Sequence, residues 1–575
     1  MKKISQIIFL CLLVNALFAQ QYRDYLGAGH MQGITVTTSH NEDSGIDGER
    51  SIDGFPVDDT EALKDASRFL AHATMGYNYD MIQMVAAMGY EAWIDDQFSM
   101  PDYNLVEYMI KRADEAALPP EDASMDLFRV LWWELMLKSP DALRQRLTYM
   151  LSQIFVVSAF GSDLFEDFGV LSAGHYNVLN ANAFENYRDL LSSVSRNFSM
   201  GMYLSHFNNP KSDPSKNIHP DENYAREVMQ LFSIGLHELN NDGTPQLDNS
   251  GQVIPTYDNE VIREFAKIFT GFGAGHPEGQ WGEFDDGEAF EMAVYPMRMY
   301  DEWHEPGEKR LLNGQVVPAG QSGMEDFEDA MDNLHNHPNV GPFIGKALIQ
   351  LMVSANPSPA YVGRVADAFN NNGDGVRGDL RAVIKAILLD EEARDCNAIN
   401  NPTGGKLREP LHRYTGFLRA FDPEPEDGIF LDRFDLWYDQ VGQVPMYASS
   451  VFNFYQPAFQ PNGLIADADL VAPVFQIHNS STSIGFINQV EEWTFAFEPM
   501  EGTGVELDFE EEFELLDDPE ELVDRLDLLL ACGQLSDRTK GIIVNAMQSD
   551  DLDPIDQLNF ALYLIMISPD YAILK

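Results

Sequence analysis

The stretch His219-Pro220-Asp221-Glu222-Asn223-Tyr224-Ala225-Arg226-Glu227-Val228-Met229-Gln230-Leu231-Phe232-Ser233-Ile234-Gly235-Leu236 has helical periodicity. Pro220 suits the first helical position, and Asp221 and Glu222 then fall in the first turn, where carboxylates favour the helix dipole. At 100° per residue Asn223, Arg226, Glu227 and Gln230 share one face, and Tyr224, Val228, Leu231 and Phe232 share the other. An amide, a guanidinium and a carboxylate on one face can organise a site. They serve equally well as a structural network that locks helices together.

The same period recurs along the chain. From Asp59 a helix capped by Thr60 is expected to run to about His72. A second opens at Asp80 and, broken at Gly89, continues from Tyr90 to Phe98. Strong patterns cover 124–138 and 140–159, then 184–197, 220–236 and 258–271, the last capped by Asp258. Residues 275–320 lose the period, and Asn313-Gly314 inside Leu311–Val317 is the usual two-residue hairpin signal. Helices are expected again at 325–336, 340–354, 358–370, 378–391, 406–421 and 554–567, with an acidic run at 505–527 passing into a helix. The fold class is mainly α, a large multi-helical globular domain over 57–575 with a small β-hairpin insertion at 275–320.

Ahead of that domain, Lys2 and Lys3, the apolar Ile7–Phe18 and Ala-Leu-Phe-Ala ending at Ala19 read as a signal peptide over 1–19. Residues 20–56 read as a flexible polar lead-in. No later run approaches a membrane span, so the protein is expected to be exported, to the periplasm or the extracellular space. The chain has 575 residues, 45% of them hydrophobic, and a formal charge of −55, which becomes −57 without Lys2 and Lys3. Such acidity argues against nucleic acid and anionic membranes, and fits either a solvated surface or diffuse attraction for divalent cations. Cys396 and Cys532 are the cysteines beyond the leader, enough for one disulfide and too few for a cysteine zinc site.

Among the individual motifs, His304, Glu305 and Lys309 lie in a turn shaped by Pro306 and Gly307. His304 suits a metal ligand or general base, with Glu305 or Glu227 as the carboxylate, and suits as well a loop histidine bonded to nearby backbone. His337-Pro338 is expected to cap the helix that follows. His237-Glu238 is no zincin motif, because position 241 is Asn. Asn370–Gly375 has oxygen donors at calcium-loop spacing, but Arg381 occupies the acidic twelfth position, and a Gly-rich turn fits better. No Gly-x-Ser-x-Gly elbow and no Walker loop occurs. Val451-Phe452-Asn453-Phe454-Tyr455-Gln456-Pro457 offers rings either to a carbohydrate groove or to core packing.

Several segments in order resemble the bacterial domain-of-unknown-function family numbered 1800. They include Arg68-Phe69-Leu70 with Ala73-Thr74-Met75-Gly76, Arg144-Gln145-Arg146-Leu147 leading into Gln153–Ser158, and Met200–Leu204 with Asn209-Pro210-Lys211. Glu222–Glu227 with Leu231–Gly235, Phe269-Thr270-Gly271, His304–Lys309, His337–Val340 and Ile567–Tyr571 complete the set. The resemblance implies an exported, mostly helical protein, often encoded beside sulfatase-like exported proteins, which points to extracellular polymer metabolism by association.

Two hypotheses follow. One is a binding or accessory protein in extracellular or cell-surface polymer processing, with a neighbouring sulfatase-like protein or the polymer as partner. The other is a metal-assisted hydrolase or lyase. There Glu227 or His304 would be the base, and Arg226 would hold an anionic group. Glu222, Asn223 and Lys309 would bind, and a divalent metal would assist. The second needs the helix face and His304 to converge.

Overall fold

The computed structural model describes residues 57, 59–115, 124–282, 284, 289–395, 404–425, 430, 439–495, 505–548 and 552–575. The leader and lead-in expected over 1–56 lie outside them, as does Cys396. The chain is mainly α, with small two-stranded antiparallel sheets.

The centre is built from helices that are apolar nearly all round. Met125–Lys138 and Ala142–Ile154 are buried along almost their whole length, as a helix without a solvent face must be. They pack on each other and on Gly169–Ala181, which also meets Leu105–Glu115, Tyr187–Ser195, Phe198–Tyr203 and Ala289–Val294. Around this centre, Thr60–Ala73 packs against Tyr79–Met88 and Pro519–Ala531. The latter in turn meets Asp537–Met547 and Pro554–Met566. One contiguous apolar core runs from Leu63 to Leu574. No helix among the described residues is long and apolar enough to cross a membrane.

Helix positions follow the periodicity closely, and the ends differ for local reasons. Asp59, not Thr60, caps the first helix, its carboxylate accepting from Glu61 N and Ala62 N. Gly89 sits at φ +84° between Tyr79–Met88 and Tyr90–Ser99, a break that glycine allows. The pivotal helix is shorter than its pattern, Asn223–Gln230. Pro220 precedes it, and the Asp221 carboxylate holds Asn223 N at 2.7 Å. Lys406–Leu407, expected at the start of a helix, is a strand paired with Ile573–Leu574, and the helix begins at Pro410. The hairpin signal also needs correction. Lys309–Arg310 pairs with Val316–Val317 across five residues, although Asn313 and Gly314 both take the expected positive φ.

Candidate functional site

The sequence-predicted residues form two groups. On Asn223–Gln230, Arg226 meets Glu222 at 3.5 Å, both partly exposed. Asn223 Nδ2 reaches Ser205 Oγ at 3.3 Å. Glu227 is buried on the same helix, and its Oε2 meets no hydrogen-bond partner among the described residues. Burial raises the Glu227 carboxyl above its ordinary range, against the pull of Arg226. The Tyr257 hydroxyl, likewise buried and unpartnered there, is pushed up to about 12, mainly by burial and then by Glu227.

The second group closes on itself. His304 Nδ1 lies 2.8 Å from the Thr270 carbonyl oxygen and Nε2 lies 3.0 Å from Asp326 Oδ2. Lys309, with no exposed surface, donates to Glu305 O at 2.5 Å, to Gly307 O at 3.1 Å and to the Asp326 carboxylate. An ammonium has three protons, so this lysine is fully used. The network fastens the 304–309 turn to the helix Gly323–His335, which carries Asp326. Among the described residues the two groups share no hydrogen bond or ion pair, and no three His, Cys, Asp or Glu side chains converge as a metal site would need. In the glycine-rich turn, Asn371 and Asn372 turn their side-chain oxygens to backbone N–H groups of the loop, and the Asn370 oxygen accepts from Arg377. The His337 ring accepts from Asn339 N at 3.2 Å through its Nδ1. Cys532 is a buried thiol 3.2 Å from Tyr77 Oη and 3.3 Å from Arg408 Nη2.

A third constellation was not singled out from sequence. The strand Lys406–Leu407 and the first turns of Pro410–Ala420 carry Lys406, Arg408, Glu409, His412 and Arg413, all buried. Arg146 and Gln153 face them from Ala142–Ile154, and His72 from Thr60–Ala73. Gln153 Nε2 donates to Glu409 Oε2 at 3.2 Å, while Gln153 Oε1 accepts from Asn453 Nδ2 at 2.8 Å. Lys406 Nζ donates to Leu351 O at 2.5 Å, and Arg146 Nη2 reaches the same oxygen at 3.4 Å. Arg408 is held by Leu530 O at 3.0 Å and by Cys532, and Arg413 stacks 3.8 Å from the Phe486 ring centre.

So much buried positive charge shifts the neighbouring groups. Burial drives His72 and His412 well below the usual imidazole value, and the surrounding Arg and Lys charges add to it, so both rings are neutral at neutral pH. The Lys406 ammonium is lowered to about 7, chiefly by burial, with Glu409 opposing and Arg146 reinforcing.

Lys406 also lines a cavity of about 450 Å³. Its inner wall is a small apolar cluster of Leu407, Tyr455 and Val474 packed by Leu351 and Phe475. Phe452, 43% exposed, stands at the rim. The aromatic segment 451–457 thus serves both uses weighed from sequence. Tyr455 packs, and Phe452 faces open space beside the cavity. Tyr455 Oη is buried and has no hydrogen-bond partner among the described residues. The signal that pointed here was present, since Met75, Arg146 and Gln153 all fall in the segments that carry the family resemblance.

Fold and cavity together give a mainly helical protein with a buried cationic cluster beside an apolar cavity. The chain belongs to the family described as a protein of unknown function, DUF1800, whose model matches residues 68–573, nearly its whole length. No curated protein and no solved structure matches it.

Proposed function

We propose that this is an exported binding protein. It would hold an organic ligand in the cavity beside Lys406, as an accessory to extracellular or cell-surface polymer processing. The cavity carries this reading. Its volume of about 450 Å³ falls within the roughly 300–1,000 Å³ of small-molecule sites, and its walls are apolar with a few polar groups, as such sites require. Export rests on the leader read over residues 1–19, and the link to polymers rests on the sulfatase-like neighbours that the family resemblance implies. The test is a fluorescence titration with N-phenyl-1-naphthylamine, a neutral apolar probe. Saturable one-to-one binding that Val474→Trp abolishes supports the reading. Equal binding by that variant, or no saturable binding at all, rejects it.

A second reading, a hydrolase or lyase on the Asn223–Gln230 face with a divalent metal assisting, draws on one observation. Glu227 keeps a buried carboxylate oxygen without a hydrogen-bond partner among the described residues, close to the Tyr257 hydroxyl. Elemental analysis of chelator-free protein decides it. Stoichiometric metal that disappears in Glu227→Ala would favour the enzyme, and metal-free protein would retire that version.

A further inference from the structure

We infer that the ligand of this cavity is an organic carboxylate with an apolar body, and that Lys406 receives its carboxylate. This rests on the cavity being a binding site, and it adds the chemical class of the occupant.

Charge supplies the first argument. Lys406, Arg146, Arg408 and Arg413 are all buried, and the acidic side chain that faces Lys406 and Arg146 is Glu409. Like charges gathered away from water repel strongly, and a buried cation is tolerated only when an anion or good acceptors meet it. Arg408 meets a carbonyl and a sulfur and Arg413 an aromatic face, while Arg408 Nε and Arg413 Nε and Nη2 keep no hydrogen-bond partner among the described residues. Lys406, among the described residues, finds one acceptor, the Leu351 carbonyl oxygen. Two of the three ammonium protons are therefore left for something else.

Position supplies the second. Lys406 lines the cavity, and so does Tyr455, whose buried hydroxyl has no protein partner among the described residues. A buried hydroxyl without a partner costs stability unless a ligand or water satisfies it. Together the two side chains offer spare donors to an acceptor group. Leu351, Leu407, Val474 and Phe475 give the rest of the ligand apolar walls. A carboxylate takes hydrogen bonds from both donors and offsets the surplus charge, whereas a neutral headgroup does only the first.

The lowered Lys406 value fits this arrangement. The charged groups around it are Glu409 beside it, Arg146 across from it and Lys575 on the same cavity wall, while His72 and His412 sense its charge. Burial holds the Lys406 ammonium down to about 7, so an anion placed beside it is favoured over a further neutral group. A bound carboxylate would raise that value again, as Glu409 already does in part.

Titration calorimetry of the purified full-length chain with decanoate and with 1-decanol tests the inference. Decanoate is expected to bind at least about tenfold more tightly. Lys406→Met should bring the two probes to within about twofold, and Tyr455→Phe should weaken decanoate by a smaller factor. Equal affinity for both probes in the wild-type chain would overturn the carboxylate assignment and leave the cavity reading standing. So would a preference that survives in a folded Lys406→Met variant. The comparison of the two probes on the wild-type chain needs no variant and decides the matter if Lys406→Met does not fold. No binding of either probe would remove the cavity reading as well.

Discussion

Lys309 and Glu227 are both buried charged residues, and they are expected to respond to substitution in opposite ways. Lys309 is fully satisfied by two carbonyls and Asp326, so Lys309→Met strands a buried carboxylate beside His304. A loss of about 3–5 kcal/mol is expected in urea unfolding, the usual result of breaking a buried pair from one side. Lys309→Met combined with Asp326→Leu should recover part of it. If the single variant unfolds like the wild type, the network is not a lock. Glu227 has a raised carboxyl, so the native state holds its proton to higher pH than the unfolded chain does. Stability from this group is therefore present at low pH and lost as pH rises from the unfolded value through the folded one. Glu227→Gln removes that loss, so the variant should gain on the wild type as the pH rises above the ordinary glutamate range. A gain independent of pH would mean the burial of Glu227 has no electrostatic cost. These two residues also mark what was legible at this scale. His304 and Lys309 stand out in the sequence as a compact polar turn, but Asp326 lies 17 residues beyond Lys309 inside an unremarkable helix, so the closure of the network has no local signal.

The strand Lys406–Leu407 shows how an element two residues long positions a site. It pairs with Ile573–Leu574 at the far end of the chain, with Lys406 opposite Leu574. Gly405 before it has φ +90°, and a Cβ there would lie 2.4 Å from Leu574 O, a backbone atom that cannot swing away. Gly405→Ala should separate the two strands and carry Lys406 out of the cavity wall. A loss of about 2 kcal/mol or more in stability is expected, together with decanoate binding reduced to the level of decanol. Wild-type stability and an intact decanoate preference would show that the pairing does not place the lysine. Periodicity could not reveal this strand. The apolar spacing of Leu407, Leu411 and Leu418 runs on smoothly into Pro410–Ala420, and the partner strand is more than 160 residues away. Long helices such as Ala142–Ile154 were legible because ten or more residues repeat one pattern. The cavity walls at 464–475 were not, because turns and short helical pieces repeat none.

At the scale of the molecule the charge distribution is inverted. The chain carries 92 acidic against 37 basic residues, while Lys406, Arg146, Arg408 and Arg413 lie together inside. An anion approaching from water therefore meets repulsion from the exterior before it meets attraction from Lys406. Salt acts unequally on the two. The Debye length falls from about 30 Å at 0.01 M to about 10 Å at 0.1 M, which screens the distant acidic field, whereas contacts inside a buried cavity are screened much less. Salt also strengthens the burial of any apolar tail, so 1-decanol provides the reference, and the informative quantity is the decanoate-to-decanol affinity ratio. That ratio is expected to rise severalfold between about 0.01 and 0.3 M sodium chloride, read by competition against N-phenyl-1-naphthylamine. A surface-bound anion on an exposed lysine would show the reverse, since salt weakens an accessible ion pair directly. A falling ratio would thus place the carboxylate outside the cavity, and a rising one would tie the acidic exterior and the cationic interior to the same ligand.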